Sequence, residues 1–192
     1  MGRSTREQSI ETARQLRVIA SELFAQHGYA GVGMERIAAE AGVTRGAIYH
    51  HWNDKRALFA DVVADAQETV GRAVAASSDG DGLDALEAGC AAFLDAAVAP
   101  EVCRILLVDG PAVLGWQEWR RFDAENAGRM LAEGLHALPD LAVDADAATA
   151  LLSGAMNDGA LWIAEGGDPE AIRRALVVMM RGLRRGAAVP PR

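Results

Sequence analysis

The sequence has few aromatic residues and only two cysteines. Aromatic side chains make up 5% of its 192 residues, so the core must be largely aliphatic and rich in alanine. Cys90 and Cys103 show no CxxC or histidine spacing; we therefore expect buried thiols and not a zinc site or a disulfide. No apolar run approaches the roughly 20 residues that cross a bilayer, and no charged segment precedes a hydrophobic signal core. We expect a cytoplasmic protein.

Motifs of enzymes and of cofactor-binding proteins are also missing. The four histidines stand at no spacing to serine, cysteine or aspartate that indicates a catalytic triad. No HExxH, P-loop or GxGxxG motif occurs in the chain. We therefore predict no catalytic residue, no metal site and no cofactor, and a protein that is not an enzyme.

Hydrophobic residues are plentiful, at 51% of the chain, and recur with helical periodicity, without the alternation of strands. They suffice for a sizeable core in one compact unit or in two fused helical ones. We predict an all-α fold with an N-terminal domain of residues 1–54 and a second helical domain of residues 55–192. The second domain is predicted to contain helices over 55–76, 83–99, 101–109 and about 113–138, with a break at Gly110 and Pro111, and two more that begin after Asp144 or Asp146 and after Asp168.

Residues 28–59 predict two short helices joined by a glycine turn. The first helix has one buried stripe at helical spacing: Met34, Ile37, Ala38 and Ala41. Gly42 ends this helix, because glycine takes a left-handed backbone at little cost. Thr44 can cap a second helix that begins at Arg45, and Asn53 or Asp54 can cap the helix after it. This arrangement is a helix-turn-helix.

In such a motif the second helix enters the DNA major groove with its first residues leading. The leading residues here are Thr44, Arg45, Gly46 and Ala47. Arg45 is the only long side chain among them, and its guanidinium matches guanine O6 and N7. Tyr49, His50 and Lys55 are candidate phosphate contacts. The alternative is that Tyr49, His50 and Trp52 are half-buried aromatics of an ordinary helical protein, and we expect Trp52 to be buried.

The sequence here resembles the TetR family of bacterial transcriptional regulators. The resemblance covers roughly the first third of the chain and includes the segments IAAEAGVTRGAIYHHW and KRALF. It also includes residues of the first helix, namely Leu16, Ile19, Ala20, Leu23, Phe24, Gly28 and Tyr29. The resemblance implies a three-helix DNA-binding domain, a recognition helix over residues 45–52, and phosphate contacts from Tyr49, His50 and Lys55. One departure is Gly33, because the family usually caps the second helix with Ser or Thr.

Charge is distributed unevenly along the chain. The net charge is −8, which by itself argues against binding to nucleic acid. Residues 1–60, however, carry 8 basic and 6 acidic side chains, whereas residues 61–192 carry 11 and 21. The helix-turn-helix therefore lies in the more basic part. Arg3 and Arg6 are either an arm that reaches the DNA or a solvated tail.

The last two helices carry more apolar surface than a terminal pair needs, and small residues that permit close approach. We predict that they form a homodimer interface as a four-helix bundle with a second copy, which is also where the resembled family dimerises. The predicted interface residues are Leu151, Ala155, Gly159, Leu176, Met179, Met180 and Leu183. The alternative is that both helices belong to the core of one chain.

A cavity for a small-molecule effector is expected among the middle helices, because bundle interiors commonly hold ligands. Aromatic and sulfur side chains suit a flat apolar molecule, and Asn157 or Asp158 can orient it by hydrogen bonding. The candidate lining residues are Phe93, Leu94, Cys103, Leu107, Trp116, Trp119, Phe122, Met130, Met156, Asn157 and Trp162. For any one of them, an ordinary core position is the alternative.

Together these features predict a DNA-binding transcriptional regulator. We expect a homodimeric repressor that occupies a double-stranded palindromic operator and leaves it when a small-molecule effector binds the second domain. A helical enzyme or ligand-sequestering protein with a vestigial DNA motif is the alternative, which the missing catalytic motifs disfavour.

Overall fold

The computed structural model describes residues 2–77, 80 and 82–185, and in these ranges the chain is helical with no named strand. The helices are α1 (Gly2–His27), α2 (Met34–Glu40), α3 (Arg45–His51), α4 (Lys55–Ser77), α5 (Gly82–Ala97), α6 (Pro100–Cys103), a π-helical turn (Arg104–Asp109), α7 (Gly110–Leu114), α8 (Trp116–Glu125), α9 (Ala127–His136), α10 (Ala145–Ala164) and α11 (Pro169–Gly182). One isolated bridge joins Leu141 to Arg184. The predicted all-α class is confirmed.

The helices pack as two compact units. The first contains the chain up to Ala66 together with Pro100–Trp119, and the second contains Gln67–Ala99 and the chain from Arg120 onward. Packing thus groups the start of α4 and residues 100–119 with the N-terminal helices, whereas the sequence-based prediction has its boundary between residues 54 and 55. No helix of the described ranges is both long and apolar enough to cross a membrane.

The core of the first unit is aromatic at its centre and aliphatic around it. The Phe24 and Phe59 rings meet edge to face with centroids 5.1 Å apart, and the Tyr29 ring lies 4.9 Å from Phe59. Aliphatic side chains with no more than 1% exposure surround them: Leu16, Val32, Ile37, Ile48 and Leu58. This core holds α1, α2, α3 and the start of α4 together, because every one of these elements contributes to it.

The core of the second unit is mostly aliphatic, as the composition predicts. Its most buried side chains include Leu94, Leu135, Ala160 and Met180 from α5, α9, α10 and α11. Cys90 is also buried there, and Cys103 is buried in the first unit; both are free thiols. Burial raises the pKa of Cys90 to about 12, so this thiol stays protonated at neutral pH.

Two predicted helix boundaries were wrong. The chain stays helical through Gly110 and Pro111 and leaves the helix only at Gly115, because a proline in the first turn of a helix needs no N–H partner. The helix predicted over about 113–138 is broken at Gly115 and again at Asn126, whose backbone (φ −123°, ψ −114°) is not helical. The Asn126 side chain donates instead to the Phe122 carbonyl, at 2.9 Å.

The starts of the last two helices agree with the predicted caps. Asp144, one of the two candidates, accepts a hydrogen bond from the Ala147 N–H at 2.8 Å. Asp168 accepts from the Glu170 N–H at 2.9 Å, and Pro169 follows it as the first helical residue. A side-chain acceptor at this position satisfies N–H groups that the helix itself leaves unpaired.

Candidate nucleic-acid interface and effector cavity

The turn between α2 and α3 is closed by backbone hydrogen bonds. Gly42 has φ +65°, which lets the Gly42 and Val43 N–H groups reach the carbonyls of Ala39 and Ala38 at 3.1 and 2.9 Å. Thr44 then caps α3 by accepting from the Ala47 N–H at 3.3 Å. Gly33 precedes α2 and offers no side-chain cap. The predicted helix-turn-helix geometry is therefore present.

The outward face of α3 consists of side chains predicted to meet DNA. The Arg45 side chain is 70% exposed, and Tyr49 and His50 are exposed as well. The Arg45 guanidinium lies 5.3 Å from the Tyr49 ring centroid and 3.3 Å from Glu35 Oε1. Of the other predicted contacts, Thr44 and Gly46 are exposed and Ala47 is half-buried. The N-terminal part of α3 is thus open to solvent, with its one long side chain, Arg45, paired to Glu35.

The inward face of α3 anchors this helix to the first unit. Ile48 is fully buried, and Trp52 directly after the helix is 6% exposed. The Trp52 indole N–H donates to Asp61 Oδ2 at 2.8 Å, which satisfies the buried polar end of the ring. Burial and the charge of His50 lower the pKa of His51. Trp52 is therefore buried, as expected, whereas Tyr49 and His50 are exposed and not the half-buried aromatics of the alternative.

Lys55 makes hydrogen bonds within the first unit. Its ammonium donates to the carbonyls of Tyr29 and Val32 at 2.9 and 3.0 Å and lies 4.1 Å from the centroid of the Tyr29 ring. Two of its three N–H groups thus hold the loop between α1 and α2. The cap of α4 is Asp54, which accepts from the Ala57 N–H at 2.8 Å. A phosphate contact from Lys55 would compete with these internal bonds.

A polar link that the sequence did not indicate joins the loop between α1 and α2 to the π-helical turn. The Tyr29 N–H donates to Asp109 Oδ2 at 2.8 Å, and Arg104 Nε lies 3.6 Å from the same oxygen. Tyr29 and Asp109 are 80 positions apart. No local sequence pattern reports a pairing at that separation.

The second unit contains a small cavity among α4, α5, α8, α9 and α10. Its volume is about 30 Å³, and its lining is Val74, Leu86, Gly89, Cys90, Phe93, Asp123, Ala127, Gly128, Met130, Leu131, Ser153 and Met156. Of the predicted pocket residues, Phe93, Met130 and Met156 line it. The cavity is mostly apolar, as expected for a ligand site.

Asp123 and Ser153 form the polar end of this cavity and were not predicted. Both are 3% exposed. Ser153 Oγ donates to Asp123 Oδ2 at 3.1 Å, and Arg120 Nη1 donates to Ser153 Oγ at 2.8 Å and to Asp123 Oδ2 at 3.1 Å. Burial raises the pKa of Asp123, and the charge of Arg120 and the Ser153 hydrogen bond oppose that shift.

The other predicted pocket residues do not line the cavity. Leu94 is buried in the core of the second unit, Phe122 and Asn157 are half-buried, and Trp162 is exposed on α10. Cys103, Leu107, Trp116 and Trp119 belong to the first unit, where Trp116 is 62% exposed and the Trp119 indole donates to the Leu106 carbonyl at 2.6 Å. Helical periodicity indicates burial but not which helix faces a void, so their part in effector binding stays a prediction.

An exposed apolar face runs along α10 and α11. Leu151, Trp162, Val178 and Met179 are its large exposed side chains, and a shallow groove between the helices is lined by Ala155, Asp158, Gly159, Trp162, Ile172, Ala175, Leu176 and Met179. Of the predicted interface residues, Leu151 and Met179 are exposed, Ala155 and Leu183 are half-buried, and Gly159 and Leu176 form the groove floor. Met180 is a correction: it is 2% exposed and lies 3.7 Å from Cys90 Sγ, inside the core.

These features define the class as a helix-turn-helix protein with a second, all-helical unit. A family model described as "Bacterial regulatory proteins, tetR family" matches residues 18–62, and one described as "Tetracyclin repressor-like, C-terminal domain" matches residues 83–187. A crystal structure of a TetR-family transcriptional regulator from Pectobacterium atrosepticum is 34% identical, covers 97% of this chain and 99% of that chain, and has a TM-score of 0.71. The chain belongs to the TetR family of transcriptional regulators. This confirms the predicted family, and members of this family are DNA-binding regulators and not enzymes.

Curated relatives match over shorter segments. The HTH-type transcriptional regulator AcrR of Shigella flexneri is 34% identical over 110 residues, which are 56% of this chain and 51% of AcrR. The HTH-type transcriptional regulator TtgR of Pseudomonas putida is 39% identical over 90 residues, 47% of this chain and 42% of TtgR. The HTH-type transcriptional repressor AcnR of Corynebacterium efficiens is 36% identical over 59 residues, 31% of each chain. The matched segments thus span about half the length of these relatives or less.

Proposed function

We propose that this protein is a homodimeric repressor that binds a palindromic DNA operator through α3 and leaves it when a small molecule occupies the second unit. The observation that carries the proposal is the outward face of α3, where Arg45, Tyr49 and His50 are exposed at the start and middle of the helix. The N-terminal residues of a recognition helix are those that reach base edges in the major groove. The relative AcnR is named a transcriptional repressor, which supports repression and not activation.

Dimerisation is supported by the exposed apolar face of α10 and α11. Leu151 and Val178 are 74% and 69% exposed, although burying such side chains is worth about 1.5–3 kcal/mol each. A two-fold symmetric contact would bury the same face on both copies. It would also pair two recognition helices, which read half-sites about 34–36 Å apart in successive major grooves.

Dimerisation is tested by light scattering after size-exclusion chromatography. The variants Leu151→Glu and Val178→Glu place charge on the apolar face and should give a monomer at micromolar concentration. Val143→Glu is the matched control, because Val143 is also an exposed valine of the second unit, at 46%, outside that face. If wild type is a monomer, or if all three variants keep the same mass as a dimeric wild type, this part of the proposal fails.

Release by an effector requires that the ligand bind the DNA-incompetent state better than the competent one. The helix α4 supplies a physical route, because Lys55 at its start belongs to the first unit and Val74 near its end lines the cavity. A tilt of α4 would change the separation of the two α3 helices in a dimer. Effector-bound and DNA-bound structures with equal α3 separation would exclude this route.

DNA binding is tested by fluorescence anisotropy with the intergenic DNA beside the protein's own coding region. We expect tight, salt-sensitive binding that exceeds the affinity for unrelated DNA by a factor of about 10³ or more. Arg45→Ala should lose most of this preference. Arg129→Ala is the control, because Arg129 is an exposed arginine of α9, outside the helix-turn-helix, that pairs with Glu133. Equal affinity for operator and unrelated DNA would argue for a vestigial motif.

A further inference from the structure

The cavity of the second unit is too small for an effector as it stands. Its volume of about 30 Å³ holds about two water molecules, at roughly 10–15 Å³ of such space for each, whereas ligand pockets measure roughly 300–1,000 Å³. Next to it lies a solvent-open depression of about 500 Å³ between α5 and α9, whose walls include Arg129, Glu133, Gly134 and Ala137. The depression therefore has room for a ligand, which can reach the cavity only if a passage opens between the two spaces.

Two side chains separate the cavity from the depression. Leu86 of α5 and Met130 of α9 line both spaces. Leu86 lies close against Gly134, where a Cβ would come within 2.7 Å of Leu86 Cδ1. Rotamer changes of a leucine and of an unbranched methionine need no change in the backbone. Such changes at these two positions would join the spaces into one pocket of ligand size.

The inner end of the joined pocket has a defined polarity. Its walls are apolar except for the Asp123 and Ser153 side chains and the Cys90 thiol. The hydrogen bonds from Arg120 and Ser153 both end at Asp123 Oδ2, and neither of them involves Asp123 Oδ1. An ionised carboxylate only accepts hydrogen bonds. A ligand group that meets this end must therefore donate.

We propose that the effector is an apolar molecule with a hydrogen-bond-donating hydroxyl or amine, which enters between α5 and α9 past Leu86 and Met130 and donates to Asp123. The proposal rests on the proposed function, in that it takes this cavity as the effector site. A carboxylate-bearing ligand is disfavoured, because it would bring a second negative charge to Asp123.

The polarity is tested by calorimetry on the full-length protein without DNA, using 1-naphthol, 1-methoxynaphthalene and 1-naphthoate. We expect 1-naphthol to bind about tenfold or more tightly than the methyl ether, which lacks the donor, and 1-naphthoate to bind most weakly. Asp123→Asn should raise the affinity for 1-naphthoate relative to 1-naphthol. Leu152→Ala, at a buried leucine that does not line the cavity, should keep the order of the three probes. Equal binding of 1-naphthol and its ether by wild type, or no binding of 1-naphthol even by Leu86→Ala, overturns the proposal.

The entrance is tested with Cys90 as a reporter, in a Cys103→Ala background where it is the only thiol. Methyl methanethiosulfonate modifies Cys90 at a rate that mass spectrometry can follow, and 1-naphthol should slow this reaction. Leu86→Ala and Met130→Ala should each speed the reaction severalfold. Leu152→Ala is the matched control, because Leu152 is a buried leucine of α10 that does not line the cavity. Equal acceleration by Leu86→Ala, Met130→Ala and Leu152→Ala would mean access by unfolding and would refute the entrance.

Neither experiment depends on DNA, so the two proposals can fail separately. If 1-naphthol binds as expected but does not release DNA in the anisotropy assay, the pocket is a ligand site but not the effector site. If another compound releases DNA while Asp123→Asn and Leu86→Ala leave its affinity unchanged, the repressor function is supported and the proposed effector site is refuted.

Discussion

Replacing Lys55 with methionine separates a structural role from a phosphate contact. Methionine keeps the length and apolar character of the side chain but lacks the ammonium that donates to the Tyr29 and Val32 carbonyls. Hydrogen bonds with a charged donor contribute about 1.5–3 kcal/mol each, and the contact with the Tyr29 ring adds about 0.5–1 kcal/mol at a partly exposed site. Because Lys55 is only half-buried, we take the low end of each contribution and expect the free energy of unfolding to fall by about 3–4 kcal/mol.

Two measurements on the same variant distinguish the roles. Urea denaturation followed by circular dichroism should give a lower midpoint with an unchanged m-value. The slope of log affinity for DNA against log salt concentration should stay within error of wild type, since a lost phosphate contact would reduce it by about 0.9 per protomer. Arg45→Met is the control for the stability measurement and should unfold close to wild type. The exposed ion pair of Arg45 with Glu35 contributes no more than about 1 kcal/mol to stability.

The opposite result would refute this reasoning. If Lys55→Met has the stability of wild type and a reduced salt slope, the ammonium does not hold the loop between α1 and α2 in solution and reaches a phosphate in the complex. If stability and salt slope both fall, Lys55 serves the loop in the free protein and the phosphate in the bound one. Lys55 is the sole lysine of the sequence, so amine-directed labelling with and without DNA would then report its exposure directly.

Three further predictions concern single side chains. Arg45→Ala should cost about 1–3 kcal/mol of operator binding and relax the preference at one base position; an intact preference across single-base operator variants would show that another residue reads the base. Trp52→Phe should lower the free energy of unfolding by about 1–3 kcal/mol, because it removes the hydrogen bond to Asp61 and leaves part of the space of a buried indole unfilled, and a thermal melt equal to that of wild type would contradict this. Because the folded-state pKa of Cys90 is about 12 against an ordinary 9.0, the unfolded chain loses this proton first as pH rises. Stability should therefore fall above about pH 9 by about 1.4 kcal/mol per unit more than in Cys90→Ala, and parallel pH profiles of the two proteins would exclude the shift.

Local rules were enough to predict the helix-turn-helix and the helix caps. The stripe of Met34, Ile37 and Ala38, the turn at Gly42 and the cap at Thr44 involve residues no more than a few positions apart. Helical periodicity, backbone freedom at glycine and capping all act over such distances. For the same reason, Asp168 was correctly read as the start of α11.

Tertiary packing alone decided the partners of the polar groups and the shape of the cavity. Lys55 meets carbonyls 26 and 23 positions earlier, and Ser153 meets Asp123 at a separation of 30. Helical periodicity placed Met180 on an apolar face of α11. It could not determine whether this side chain would contact a second copy or Cys90 of the same chain. Which helices pack together depends on how well their whole apolar faces fit one another. No single segment of the sequence determines that fit.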